Sequence, residues 1–129
     1  MDKEQALNYF WNQFDVPAFE QNTVIDEKDF EEMSMEPYPR ITYEVAVDNF
    51  GAEIMLTASL WDKNTTWKDI TDLCHKVEAT LGLGGQTIRY DNGLLWVKRG
   101  TPFARRMNDP DDSIRRIILN IEVEYISEV

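Results

Sequence analysis

A chain of 129 residues has the size of a single domain, long enough to bury a core but short for an elaborate catalytic cleft. Its hydrophobic fraction of 43% is ordinary for a globular chain, and no apolar run approaches the roughly 18 residues of a membrane span, which argues against a membrane protein. A net charge of −11 opposes a tight grip on nucleic acid, because phosphate neutralisation needs clustered Lys and Arg well in excess of acid.

The opening Met-Asp-Lys-Glu-Gln lacks a basic region followed by an apolar one, so no secretory signal is expected. The single cysteine, Cys74, cannot form an internal disulfide and fits a chain made in a reducing cytosol. Charge is unevenly spread. Residues 1–37 hold ten acidic and two basic side chains, whereas residues 96–116 hold six basic and three acidic ones.

In chain order, Asp2 to Phe14 reads as an amphipathic helix with Ala6, Leu7, Phe10, Trp11 and Phe14 on one face. Asp2 and Gln5 form a capping pair at its start, and Pro17 stops it. The aromatic stripe is read as core rather than as a ligand platform, because helical spacing aims it at a sheet. Residues 20–39 are acidic and lack periodicity, which predicts a long loop that orders on assembly. The carboxylates there lack calcium-loop spacing, so no metal site is expected.

After Pro39 the period becomes two. Ile41, Tyr43, Val45 and Val47 alternate with polar neighbours, Asn49-Phe50-Gly51 turns, and Ile54, Leu56, Ala58 and Leu60 alternate again, predicting an antiparallel hairpin. Met55 and Trp61 leave its outer face slightly apolar. Thr66 then caps a second helix, whose stripe of Trp67, Ile70, Leu73, Cys74, Val77 and Leu81 is expected to be buried on the sheet. His75 points away from Cys74, so the two cannot form a catalytic dyad. Gly82-Leu83-Gly84-Gly85 closes that helix instead of opening one, unlike a phosphate loop.

Thr87–Tyr90 and Leu94–Arg99 read as short strands about Asp91-Asn92-Gly93. A basic loop over 98–107 and a turn at 108–112 lead to the longest element, Ser113 to Tyr125, in which Ile117, Leu119, Ile121, Val123 and Tyr125 recur at every second position. About thirteen residues at roughly 3.3 Å each span on the order of 40 Å, enough to pair with more than one neighbour. The expectation is one α+β domain over 1–129: a mainly antiparallel sheet, two helices on one face, and a long C-terminal strand. Glu122 and Glu124 are read as an ordinary solvent-facing pair, so no catalytic, cofactor or metal site is expected.

Tyr38-Pro39-Arg40-Ile41-Thr42-Tyr43-Glu44, Leu56 to Trp61, Trp96 to Ala104, and Ile114 to Glu122 together resemble the tail terminator (tail completion) proteins of long-tailed bacteriophages and prophages. The resemblance covers most of the chain and lies in sequence texture rather than in a catalytic motif. It implies a structural protein of the virion tail, made in the host cytoplasm, which forms a ring, commonly of six, at the head-proximal end of the tail tube. There it ends polymerisation and meets the head-tail connector, with DNA only in transit. A connector or tail tube subunit, or a small-molecule-binding domain, is the alternative.

The opposed charges suggest how copies of the chain would meet. The acidic loop, with Asp29, Phe30, Glu31, Glu32 and Met33, would meet the basic loop, with Lys98, Arg99, Phe103, Arg105, Arg106 and Met107, head to tail.

Overall fold

The computed structural model describes residues 1–21, 27–34, 36–45 and 53–127. The expected turn at Asn49-Phe50-Gly51, with Val47 and Asp48 before it, lies outside them. Along the chain come α1 (Lys3–Trp11), β1 (Ala18–Glu20), α2 (Glu27–Glu32), β2 (Arg40–Tyr43), β3 (Ile54–Lys63), α3 (Lys68–Leu81), β4 (Gln86–Tyr90), β5 (Gly93–Met107) and β6 (Ile114–Ser127). The six strands make one sheet in the order β1-β2-β3-β6-β5-β4, antiparallel except where β1 runs parallel to β2. The α+β class is as expected.

The period-two segment is the central strand. β6 pairs with β3 from Ile54↔Val123 to Lys63↔Ile114 and with β5 from Gly93↔Ser127 to Met107↔Arg116. Its Ile117, Leu119, Ile121, Val123 and Tyr125 are buried, while Arg116, Ile118, Asn120, Glu122 and Glu124 are only half-buried on the other face. On the buried face, α1 contributes Leu7, Phe10 and Trp11, and α3 contributes Ile70, Val77 and Leu81, all to one core. Phe10, Trp11 and Phe14 pack edge-on or tilted, and Trp11 stacks on Tyr43 of β2.

Helix ends follow local chemistry. The Asp2 carboxylate accepts from Gln5 N while the Gln5 side chain accepts from Asp2 N, the reciprocal pair expected at the start of α1. α1 ends at Trp11, short of Phe14, because Asn12 caps it: its backbone N–H and its side-chain amide both bond Asn8 O. Asp15, at φ 60°, then turns the chain, and Phe14 still reaches the core. At α3 the N-cap is Trp67 and not Thr66. Its start is held instead by Asn64, which accepts from Thr66 N and donates to Asp69 Oδ2. Trp67 is accordingly half-buried at the end of the sheet, where full burial was expected, whereas Leu73 and Cys74 are buried as expected.

Three further expectations are corrected, while the two expected helices, α1 and α3, do share one face. Among the described residues there are three helices: α2 lies inside the segment read as a loop, as does the end of β1. α2 also packs on the sheet face opposite α1 and α3, since Phe30 meets Phe19 and Arg40, which share the face of Thr42. β2 stops at Tyr43, because the Glu44 carboxylate takes the Thr57 N–H that a continuing ladder would use. Finally, the basic loop is strand. β5 runs on to Met107, broken between Arg99, opposite Ile121, and Ala104, opposite Leu119.

That break sets side-chain directions. Five residues of β5 advance there against two of β6, an odd excess of three, so inward and outward positions exchange across it. Gly100 permits the excursion, since a Cβ there would come within 2.8 Å of Asn120 O. The Asn120 amide donates to Pro102 O at 2.8 Å and pins the loop.

Two solution properties follow. Cys74 is 7% exposed, and burial, with Glu78 nearby, holds its thiol above the usual range. It should react with thiol reagents only as fast as the fold opens, and rapid native-state labelling would refute the packing of α3. Tyr125 is pushed up to about 12, chiefly by burial, and its hydroxyl has no hydrogen-bond partner among the described residues. The unfolded chain ionises this phenol first, so stability should be full below about pH 10 and fall as pH rises toward 12. Tyr125→Phe should keep or slightly raise stability at neutral pH and flatten that alkaline decline, as denaturant titration at pH 8 and 11 would show.

Candidate functional site

Cross-strand register places an array of arginines and aromatic rings on the sheet face that α1 and α3 leave open. One row runs Arg40, Trp61, Arg116, Met107, and the next runs Thr42, Ser59, Ile118, Arg105. The Arg116 guanidinium lies 4.4 Å from the Trp61 ring centroid and donates to Ser59 Oγ through Nε at 3.2 Å and Nη2 at 3.0 Å. Trp61 Nε1 in turn donates to Thr42 Oγ1 at 2.9 Å. Arg40 sits over the rings of Tyr38 and Phe30. Arg40 and Arg116 are thus stacked on aromatic surfaces, an attraction of about 0.5–1 kcal/mol that fixes orientation without consuming the charge.

A second group lies at the same end on the other face. Trp67 is flanked by Arg106 at 4.7 Å and Arg115 at 5.4 Å, and Arg115 Nη2 donates to Thr65 O at 3.1 Å. Arg105 and Arg106 therefore serve different faces. Arg105 is exposed opposite Ile118, whereas Arg106 is opposite the buried Ile117 and turns to Trp67. Among the described residues, neither Arg105 nor Arg116 has a carboxylate partner.

Not every expected interface residue is available. Phe30 is fully buried beneath α2, which is a correction: it anchors the helix and offers nothing to a partner. Lys98 is engaged within the chain, over the Trp96 ring and ion-paired with Glu53, which holds its ammonium above the usual range. Arg99 lies 3.9 Å from Glu78 of α3. Phe103 and Met107 are half-buried, and Asp29 is half-buried on α2. Glu31, Glu32 and Met33 are exposed, Met33 at 46%. Arg40, Trp61, Trp67, Arg115 and Arg116 were absent from the sequence-based set. The Arg115-Arg116 pair was visible in the local charge count, but its stacking on tryptophans was not.

A recess of about 370 Å³ opens beside the β5 break, lined by Leu83, Arg99, Pro102, Phe103 and Glu122 among others. Another of about 300 Å³ lies beside Trp67. Among the described residues no group of three His, Cys, Asp or Glu is arranged to hold a metal ion, and no helix is long and apolar enough to cross a membrane. His75 is exposed while Cys74 is buried, so no thiolate-imidazole pair forms.

The chain matches no protein-family model and no curated protein.

Arg116→Ala should cost about 1–2 kcal/mol in denaturant titration, from lost stacking and an unsatisfied, largely buried Ser59 hydroxyl. Arg116→Lys should recover only part of it, since an ammonium lacks the planar fork. An Ala variant as stable as the parent would show the stack to be energetically idle.

Proposed function

We propose that this chain is a structural subunit of a bacteriophage tail, a terminator that forms a ring on the head-proximal end of the tail tube. The ring stops tube polymerisation and presents its far surface to the head-tail connector. The observation that carries this reading is the distribution of charge about one rigid sheet. An acidic helix sits at one edge of the open face, and Arg105, without a carboxylate partner among the described residues, lies toward the other with Arg116 on the strand beside it, an arrangement suited to repetition around a closed ring. The long β3-β6-β5 core suits a load-bearing protomer, and its pairing leaves that face free of the two large helices. The resemblance of the strand segments to tail terminators supplies the assembly's identity, and a ring of six is the form it implies.

The chain's chemistry fits a passive role. DNA in transit should slide past a protein of net charge −11 rather than adhere to it. The ring has no catalytic step and needs no cofactor. Purified protein added to growing tail tubes should fix their length, and electron micrographs should show a cap at one end only. Added protein that lengthens tubes would identify a tube subunit instead, and protein that binds neither tubes nor itself would remove the tail reading altogether.

A further inference from the structure

Resting on the ring reading, we propose that neighbouring copies join through one sheet face. Arg105 of one copy, with Arg116 on the strand beside it, receives the acidic helix α2 of the next.

Charge selects the occupant. Residues 26–36 contain six acidic side chains and one lysine, and Glu31 and Glu32 stand exposed on α2. The arginines opposite have no carboxylate of their own among the described residues. Within its own chain the helix lies far from Arg105. It rests over β1 and β2, and three strand spacings of about 4.8 Å, roughly 14 Å, separate β2 from Arg105 on β5. α2 and Arg105 lie on the same face toward opposite edges, with Trp61 on β3 and Arg116 on β6 between them. A lateral, head-to-tail placement therefore brings α2 of one copy to Arg105 of its neighbour and repeats with the same geometry at every joint.

Side chains rather than backbone make this contact. β4 covers β5 only from Gly93 to Val97, so the outer edge from Lys98 onward has no strand partner among the described residues. That edge is poorly suited to strand addition, because it carries the four-residue break, Pro102 without an N–H, and flanking arginines. β1 offers only three residues at the opposite edge. Apolar support comes from exposed Met33 beside α2, facing half-buried Met107 and Ile118 beside the arginines. The stacked, doubly hydrogen-bonded Arg116 is already ordered, so docking immobilises little further side-chain freedom.

The test uses the full chain, with oligomer size measured by sedimentation and native mass spectrometry, alone and on tail tubes. Arg105→Glu should weaken self-association on the order of tenfold or more without changing thermal stability, and Glu31→Lys with Glu32→Lys should do the same. Combining all three changes should restore assembly. Arg106→Glu, on the other sheet face, should assemble like the parent, and raised salt should slow association of the parent. If the parent forms rings and Arg105→Glu forms them equally well, this joint is wrong while the ring reading stands. Failure of the parent to form rings, alone or on tubes, overturns both.

Discussion

The fold depends on one strand being paired on both sides while burying a single face. β6 satisfies its backbone against β3 and β5 along nearly its full length, and only then can Ile117, Leu119, Ile121, Val123 and Tyr125 form a dry floor for α1 and α3. Shifting the register by one residue would send that floor to solvent and place Arg116, Asn120 and Glu122 under the helices, a cost no local rearrangement could offset. The same alternation assigns the opposite face. Every residue that stacks or bonds around Trp61 owes its direction to the period that builds the core.

The break in β5 is the second determinant, because it decides which arginine goes where. In an unbroken strand the parity of Lys98 and Arg99 would carry through, with Arg105 inward and Arg106 outward. The odd excess of three residues exchanges them, so Arg105 joins the open face and Arg106 reaches Trp67. A short excursion, pinned by the Asn120 amide on Pro102 O, thus sets the electrostatic character of a surface several residues away. The excursion also interrupts an otherwise exposed edge, which lets one device both aim side chains and discourage edge-to-edge aggregation.

What could be read from the sequence follows from these physics. β6 was legible because its alternation is sustained, and α1 because its apolar stripe begins at a reciprocal cap. α2 was not, since Phe30 is the one buried anchor among the described residues of an acidic run, and one apolar residue has no period. Residues 98–107 resembled a loop because Gly100-Thr101-Pro102 is turn chemistry, and the strand is restored by pairing with β6, a long-range constraint. At the candidate surface the charges were legible and their directions were not. Phe30 looked like an interface anchor because it lies among exposed carboxylates. Arg105 and Arg106 looked equivalent because adjacency hides the opposite faces of a strand.

The remaining step concerns the cost of bringing acidic molecules together. Copies carrying −11 each repel one another at long range, and screening over about 8 Å at physiological salt leaves mainly the charges at the contact to decide whether they approach. Arg105 and Arg116, which have no carboxylate partner among the described residues, therefore could do more than add attraction. In the proposed joint they would favour the approach that brings α2 of one copy to them over approaches that oppose two acidic surfaces. Stacking on tryptophan strengthens that selection, because a guanidinium held against Trp61 by Ser59 presents its charge from a fixed place. A mobile lysine at the same point would lower the repulsion over a broad range of approach angles. A held arginine such as Arg116 lowers it over a narrow one, as the proposed head-to-tail joint would require.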